Sequence, residues 1–305
     1  MEKNTKIIFA IIGILLAFFL IFILVSVFIG SASLESGNIG LGDTIAVIPI
    51  YGEITYGSSD SAYTNPDDIK SLIEEANADS SISAMVLDVN SPGGTPVASE
   101  EIMQAIKESK KPVVSWISDS GTSGAYLASS ASDKIVASPS SWVGSIGVIL
   151  QLSDLSEMYK KMGVNKYSLK AGQYKDMGAD YRNLTADETK MLQTMVDEEY
   201  NYFISLVAQN RNLTTDYVKS IAEGRIYTGR QALNIKLVDS LGGKDKAIQE
   251  AADLAGIGDS YNIITMSPPT TFEKILSGIT SQLGYSMGEG IGDSNSSSKT
   301  QSSYF

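Results

Sequence analysis

Residues 84–126 read AMVLDVNSPGGTPVASEEIMQAIKESKKPVVSWISDSGTSGAY, and this stretch decides the fold. Ala84–Val89 is a short, nearly unbroken apolar run, the pattern of a strand covered on both faces. A turn of small residues follows. Val97–Glu108 then places apolar residues at helical spacing, with acids early and lysines late, as the helix dipole favours. The cycle repeats: Val113–Ile117 predicts a strand, residues 121–123 a turn, and an Ala-rich helix starts near Gly124. Alternation of this kind predicts an α/β domain with largely parallel strands.

The pattern extends in both directions. Upstream, Thr44–Ile50 predicts a strand and Pro66–Ala78 a helix; downstream, Lys134–Ala137 and Gly147–Leu150 predict strands and Ser153–Met162 a helix. Thr185-Ala186-Asp187-Glu188 is a capping-box pattern. After it Leu192, Met195, Val196, Phe203, Leu206 and Val207 fall on one stripe, predicting a long helix to about Asn210. Phe272, Ile275, Leu276, Ile279 and Leu283 share a helical face that core or subunit packing explains, with binding to a membrane surface as the alternative.

Ile7 to Ile29 contains no charge. At about 1.5 Å per residue such a run crosses a hydrocarbon core of roughly 30 Å, so a transmembrane helix is expected. It is longer than the apolar core of a signal peptide, and an uncleaved anchor is expected although Ser31-Ala32-Ser33 offers small residues for a cut. Lys3 and Lys6 precede it and place the N-terminus in the cytoplasm. The expected layout is a cytoplasmic stub at 1–6, a cell-membrane span at 7–29, a linker at 30–43, an extracytoplasmic body at 44–285 and a flexible Gly/Ser-rich tail at 286–305.

Composition removes whole classes of chemistry. The 305 residues are 43% hydrophobic, enough for a packed core. With 35 acidic and 23 basic residues the formal charge is -12, which disfavours nucleic acid as a partner. No cysteine is present, so disulfides, thiol nucleophiles and thiolate metal sites are excluded. No histidine is present either, which excludes a Ser-His-Asp triad and an imidazole general base.

Two turns are candidates for chemistry. In Asn90-Ser91-Pro92-Gly93-Gly94-Thr95 the paired glycines allow a sharp turn with exposed amides, which suits an anion, although Pro-Gly-Gly is also an ordinary turn. In Gly121-Thr122-Ser123-Gly124-Ala125-Tyr126 a serine sits where a strand meets a helix, and first-turn amides can face a developing oxyanion. The same serine could instead act as a helix N-cap.

These two motifs continue with Gly144-Ser145-Ile146-Gly147-Val148, Gly172-Gln173-Tyr174-Lys175-Asp176 and Gly224-Arg225-Ile226-Tyr227-Thr228-Gly229. The series, in this order over roughly residues 44–258, resembles the signal peptide peptidase A family of serine peptidases. The resemblance implies a Clp protease/crotonase-like spiral of β-β-α units. By position it implies Ser123 as nucleophile, Lys175 as general base, Ser145 as the hydroxyl that holds the lysine amine, and the Gly93 and Gly124 amides as oxyanion hole. Ala125 departs from the Gly-Gly common in relatives after the nucleophile.

An amine of ordinary pKa, about 10.4, cannot take a serine proton at neutral pH, so Lys175 is expected to be desolvated and bonded by Ser123 and Ser145. Lys170 is the nearby competitor and is expected to be solvated. The resemblance further implies cleaved signal peptides and other extended apolar peptides as substrates, and a homo-oligomer, an octameric ring. The lipid bilayer is the other partner, through residues 7–29, and no metal or cofactor is required. Alternatives are a related membrane protease acting on membrane scaffold proteins, a crotonase-like acyl-thioester enzyme, and a non-catalytic scaffold.

Overall fold

The computed structural model describes residues 43–57 and 63–268. The expected span at 7–29, the linker up to 42, the apolar face from Phe272 to Leu283 and the tail from 286 lie outside the described residues. Among the described residues no helix is long and apolar enough to cross a membrane.

The first half alternates strand and helix, as residues 84–126 predict. β1 (Thr44–Ile54), β2 (Tyr63–Thr64), α1 (Pro66–Ala78), β3 (Ile82–Gly94), α2 (Pro96–Lys107), β4 (Val113–Thr122) and α3 (Gly124–Ser130) follow in order. β5 (Lys134–Ala137), β6 (Trp142–Gly144) and α4 (Ser156–Lys161) come next. The remainder is α5 (Ala186–Asn210), α6 (Thr215–Ile221), β7 (Ile226–Thr228), α7 (Gly229–Asn234), β8 (Ser240–Leu241), α8 (Lys244–Ala255) and β9 (Asn262–Thr265). The strands form one sheet in the order β2-β1-β3-β4-β5-β8. All pairs along that path are parallel.

Alternation along the central strands divides the apolar core between the two faces. Ile45, Val47, Ala84, Val86, Val114 and Val136 pack with Ala247, Ile248, Ala251 and Ala252 of α8. Their neighbours Ala46, Ile48, Met85, Leu87 and Val89 join a larger cluster with α1, α2 and α3. Burying each such aliphatic side chain contributes about 1.5–3 kcal/mol, which holds helices to both faces and explains the unbroken apolar runs. α1 starts where Asn65 caps it by accepting from the Asp67 amide and Pro66 sets the first turn.

Two strands outrun their sequence signals. β3 continues past Val89 through Asn90, Ser91, Pro92 and Gly93 to Gly94, because β1 pairs with it as far as Ile54↔Gly94. A register shift between Tyr51 and Glu53 absorbs the proline. β4 likewise runs past Ile117 to Thr122, where its far end leaves β5 and pairs with β6. β6 in turn meets β7 antiparallel.

The expected strand at Gly147–Leu150 is absent, and the strand in this region is β6 at Trp142–Gly144. Ile149 and Leu150 are exposed and have no neighbouring strand to pair with, so apolarity alone misplaces the element. The helix expected at Ser153–Met162 shrinks to Ser156–Lys161 and buries no side chain. At the sheet edge, Thr44–Val47 of β1 pairs in parallel with Asn262–Thr265 of β9. Asn262 donates its amide to the Asp43 carbonyl at 2.9 Å and Met266 donates to Val47 at 2.9 Å.

Candidate active site

Ser123 is the joint between β4 and α3, and its backbone is held at φ 53, ψ -127. A non-glycine residue there costs about 1–3 kcal/mol and persists only where its surroundings force it. Three contacts do so. The Ser123 amide donates to the Gly144 carbonyl at 2.8 Å, and its carbonyl accepts from Leu127 at 3.0 Å as α3 begins. Beneath it, a Cβ on Gly93 would come within 2.8 Å of Ser123 Cβ and 2.6 Å of the Gly124 nitrogen, so only glycine, here at φ 98, allows the two turns to touch.

The side chain of Ser123 makes no capping hydrogen bond. The alternative reading as a side-chain N-cap therefore fails: the hydroxyl stands at the start of a helix yet stays free. Its neighbours behind the turn are rigid. Tyr126 is fully buried and donates its hydroxyl to the Leu237 carbonyl at 2.8 Å, with burial pushing its ionisation far upward. A Cβ on Gly124 would overlap the buried Ser99 hydroxyl, which donates to Thr95 at 2.9 Å.

Ser145 follows the carbonyl that receives the Ser123 amide, and it too has positive φ, at 52. Its amide donates to Arg225 at 2.7 Å, and Gly224 donates back to Ile146 at 2.9 Å. Four of the five sequence motifs, those around Gly93, Ser123, Ser145 and Gly224, thus come together within one set of backbone bonds. The Ser123 and Ser145 hydroxyls have no hydrogen-bond partner among the described residues.

The two adjacent glycines of the first motif differ in role. The Gly93 amide donates to Ser91 Oγ at 3.1 Å. Gly94, not Gly93, lines the cleft beside Ser123 and Gly124. The Gly94 nitrogen lies 3.3 Å from where a Cβ on Gly124 would sit. Gly94 was not singled out from the sequence, although it stands next to the residue that was. Apart from Ser99 and Gly147, the other cleft walls are the apolar Pro96, Leu127, Val148, Ile149 and Phe203, joined by Glu199. Phe203 and Glu199 are also additions of the structure, since the stripe on α5 marks Phe203 only as a packing residue.

Lys175 stands apart from this arrangement within one chain. It is exposed, in a run of turns between α4 and α5, and its amine makes no hydrogen bond or ion pair among the described residues. Lys170, the competing amine, is occupied: it pairs with Asp176 at 2.5 Å and donates to the Gln173 carbonyl at 2.9 Å. Arg182 joins Asp176 at 2.7 Å to Glu188 at 2.7 Å. Glu188 is buried and completes the α5 capping box with Thr185. The Arg182 guanidinium brings Glu188 down to about 2 and, with Lys170 adding to it, holds Asp176 far below the usual carboxylate range. The residue next to Lys175 is therefore anchored while Lys175 itself is free.

Chemically, a free hydroxyl at a strained turn, flanked by helix-start amides in an apolar cleft, suits nucleophilic attack on a carbonyl. The family model described as Peptidase family S49 matches residues 105–258. A putative protease of Methanocaldococcus jannaschii is 36% identical over 271 residues, covering 86% of each chain. A putative signal peptide peptidase SppA of Enterococcus faecium is 35% identical over 187 residues, 60% of this chain and 54% of that relative. A solved structure of the 1510-N membrane-bound stomatin-specific protease, in mutant form, superposes with a TM-score of 0.51 at 16% identity, over 75% of this chain and 100% of the other.

Proposed function

Because the chain belongs to peptidase family S49 and is a serine peptidase, we propose that Ser123 is its nucleophile and Lys175 its general base. The observation that carries the reading is the free Ser123 hydroxyl held at φ 53 against the glycine-lined cleft. Ser123 Oγ attacks a peptide carbonyl while its proton passes to the Lys175 amine. The amine returns the proton to the leaving nitrogen as the C–N bond breaks, and water then releases the acyl group from Ser123 by the same relay. Gly124, with Gly93 or Gly94, supplies amides for the oxyanion, and Ser145, one residue beyond the Ser123–Gly144 bond, orients the amine.

A working base must be neutral, and an amine loses its proton more readily when water is removed from it. One chain leaves Lys175 wet. The same stretch carries Tyr167 and Leu169 at 77% and 96% exposure, an arrangement that a second copy of the chain would cover. We infer a homo-oligomer, an octameric ring on the family resemblance, in which this surface is buried and the Lys175 amine dried. The substrates are remnant signal peptides and other extended apolar peptides, suited to an apolar cleft and to an anchor at residues 7–29 that keeps the catalytic body extracytoplasmic. A thioester chemistry would leave Lys175 without a role.

The test is labelling of the full chain with a fluorophosphonate, followed by mass mapping. The label is expected on Ser123, to vanish in Ser123→Ala and to fall sharply in Lys175→Ala. Equal labelling of the wild type and Lys175→Ala would remove the lysine from the mechanism.

A further inference from the structure

Among the described residues lining the cleft with Ser123, Glu199 is the only ionisable one. It stands one helical turn from Phe203 on α5, so the two share a face of that helix. The other walls are glycine backbone, Ser99 and the apolar Pro96, Leu127, Val148 and Ile149. A carboxylate in this position is costly unless something pairs with it.

The contrast with the other covered acids is sharp. Asp88 pairs with Lys244 at 2.9 Å, Glu188 with Arg182 at 2.7 Å, and Glu250 with Lys246 at 3.3 Å. Glu199 is half-buried and has no hydrogen bond or ion pair among the described residues. Burial, with the charges of Glu100 and Glu198, pushes its carboxyl upward. Glu100, which accepts the Tyr202 hydroxyl, adds like charge rather than a partner. The cleft thus holds one unmatched negative group at the edge of an apolar wall.

We propose that Glu199 is a specificity-determining residue that receives a lysine or arginine side chain of the substrate. The aliphatic stem lies along the apolar wall and the cation meets the carboxylate, the division of labour that long basic side chains adopt at apolar–polar boundaries. This rests on the reading of Ser123 as nucleophile and narrows its substrate class. Signal peptides join a basic stretch to an apolar one, and a cleft of this composition suits that junction.

The test uses the full 305-residue chain and a peptide series. Each position within three residues of the cut is set in turn to lysine, arginine, norleucine or glutamate, and kcat/KM is measured at low and high salt. At one position lysine and arginine are expected to exceed norleucine about tenfold and glutamate to fall below it. Glu199→Gln brings the lysine-to-norleucine ratio near one, and Glu199→Lys turns the preference toward glutamate. Ratios taken within one enzyme cancel any loss of folded protein. Should both variants be inactive, the salt dependence of the wild-type ratio decides: a basic preference that fades with salt supports the subsite, and a salt-independent ratio overturns it. A ratio unchanged in Glu199→Gln, or no basic preference at any position, overturns it while leaving Ser123 in place. Hydrolysis equal in wild type and Ser123→Ala would overturn the nucleophile and the subsite together.

Discussion

The amide of Ser123 donates to the carbonyl of Gly144 at 2.8 Å, so the end of one strand fixes the strained turn at the end of another. That single bond sets Ser145 one residue beyond the acceptor and makes β6 part of the frame that holds the Ser123 turn. The strain at Ser123 and the support around it can be tested separately.

Replacing Ser123 by glycine relieves backbone strain of about 1–3 kcal/mol and adds about 0.5–1 kcal/mol of chain entropy cost. The first exceeds the second. Ser123→Gly is therefore expected to melt at a higher temperature than the wild type while losing turnover. A lower melting temperature would mean the turn is not strained in solution.

Gly93→Ala drives a methyl group to within 2.8 Å of Ser123 Cβ at a position with φ 98. We expect a loss of about 2 kcal/mol or more of stability. Turnover should drop with it, read by thermal melting and peptide hydrolysis on the same sample.

Lys175→Ala should lower turnover by about a thousandfold or more, since paired catalytic residues act as a unit. Lys170→Met removes a partner of Asp176 but not the proposed base, and should cost less than about tenfold. A wild-type kcat/KM profile flat from about pH 6 to 10 would argue against an amine base.

Arg182→Met leaves Asp176 and the buried Glu188 without their shared cation. Both carboxylates are held below their ordinary values, so their contribution to stability is present above about pH 4.5 and disappears as pH falls toward about 2. The variant is expected to melt several degrees lower at neutral pH and to show a flatter acid limb, measured by thermal melts across pH. Cleavage of the 165–180 segment by an added protease should also accelerate.

Tyr167→Asp with Leu169→Asp places charge on two exposed apolar positions outside the cleft. Sedimentation should show smaller species, and turnover at the same protein concentration should fall in parallel. Full turnover by the smaller species would separate assembly from activity.

The sequence carries the central strands clearly because both faces of the sheet are covered, so Ala84–Val89 and Val113–Ile117 need no polar alternation. It does not carry the extensions of β3 and β4. Asn90 to Gly94 and Ser118 to Thr122 have weak strand propensity, and only pairing with β1 and β6 extends them. The same limit applies to the paired glycines: nothing local distinguishes Gly93 from Gly94, and the bulge register decides which one lines the cleft. The joint at Ser123 was legible as a small-residue turn between strand and helix, but that turn also suits an N-cap, and only the series of five motifs points to a nucleophile. The setting of Lys175 was not: the sequence reading expects it desolvated and bonded to Ser123 and Ser145, whereas within one chain it is exposed and unpaired among the described residues. Glu199 gave no signal among the acids of α5, where a carboxylate ordinarily faces water.

The pairing of Thr44–Val47 with Asn262–Thr265 has a mechanical consequence. Force applied at residue 43 and at residue 266 would pull two parallel strands past one another, loading the short β1–β9 seam in shear. The turns at Gly93, Ser123 and Ser145 lie off that load path, so tension on the chain's flanks would open the seam before it disturbed them. For the same reason, residues 43 and 266 stand at opposite ends of the seam, and a circular permutant joining them needs a linker long enough to cross back over the strands rather than a tight turn.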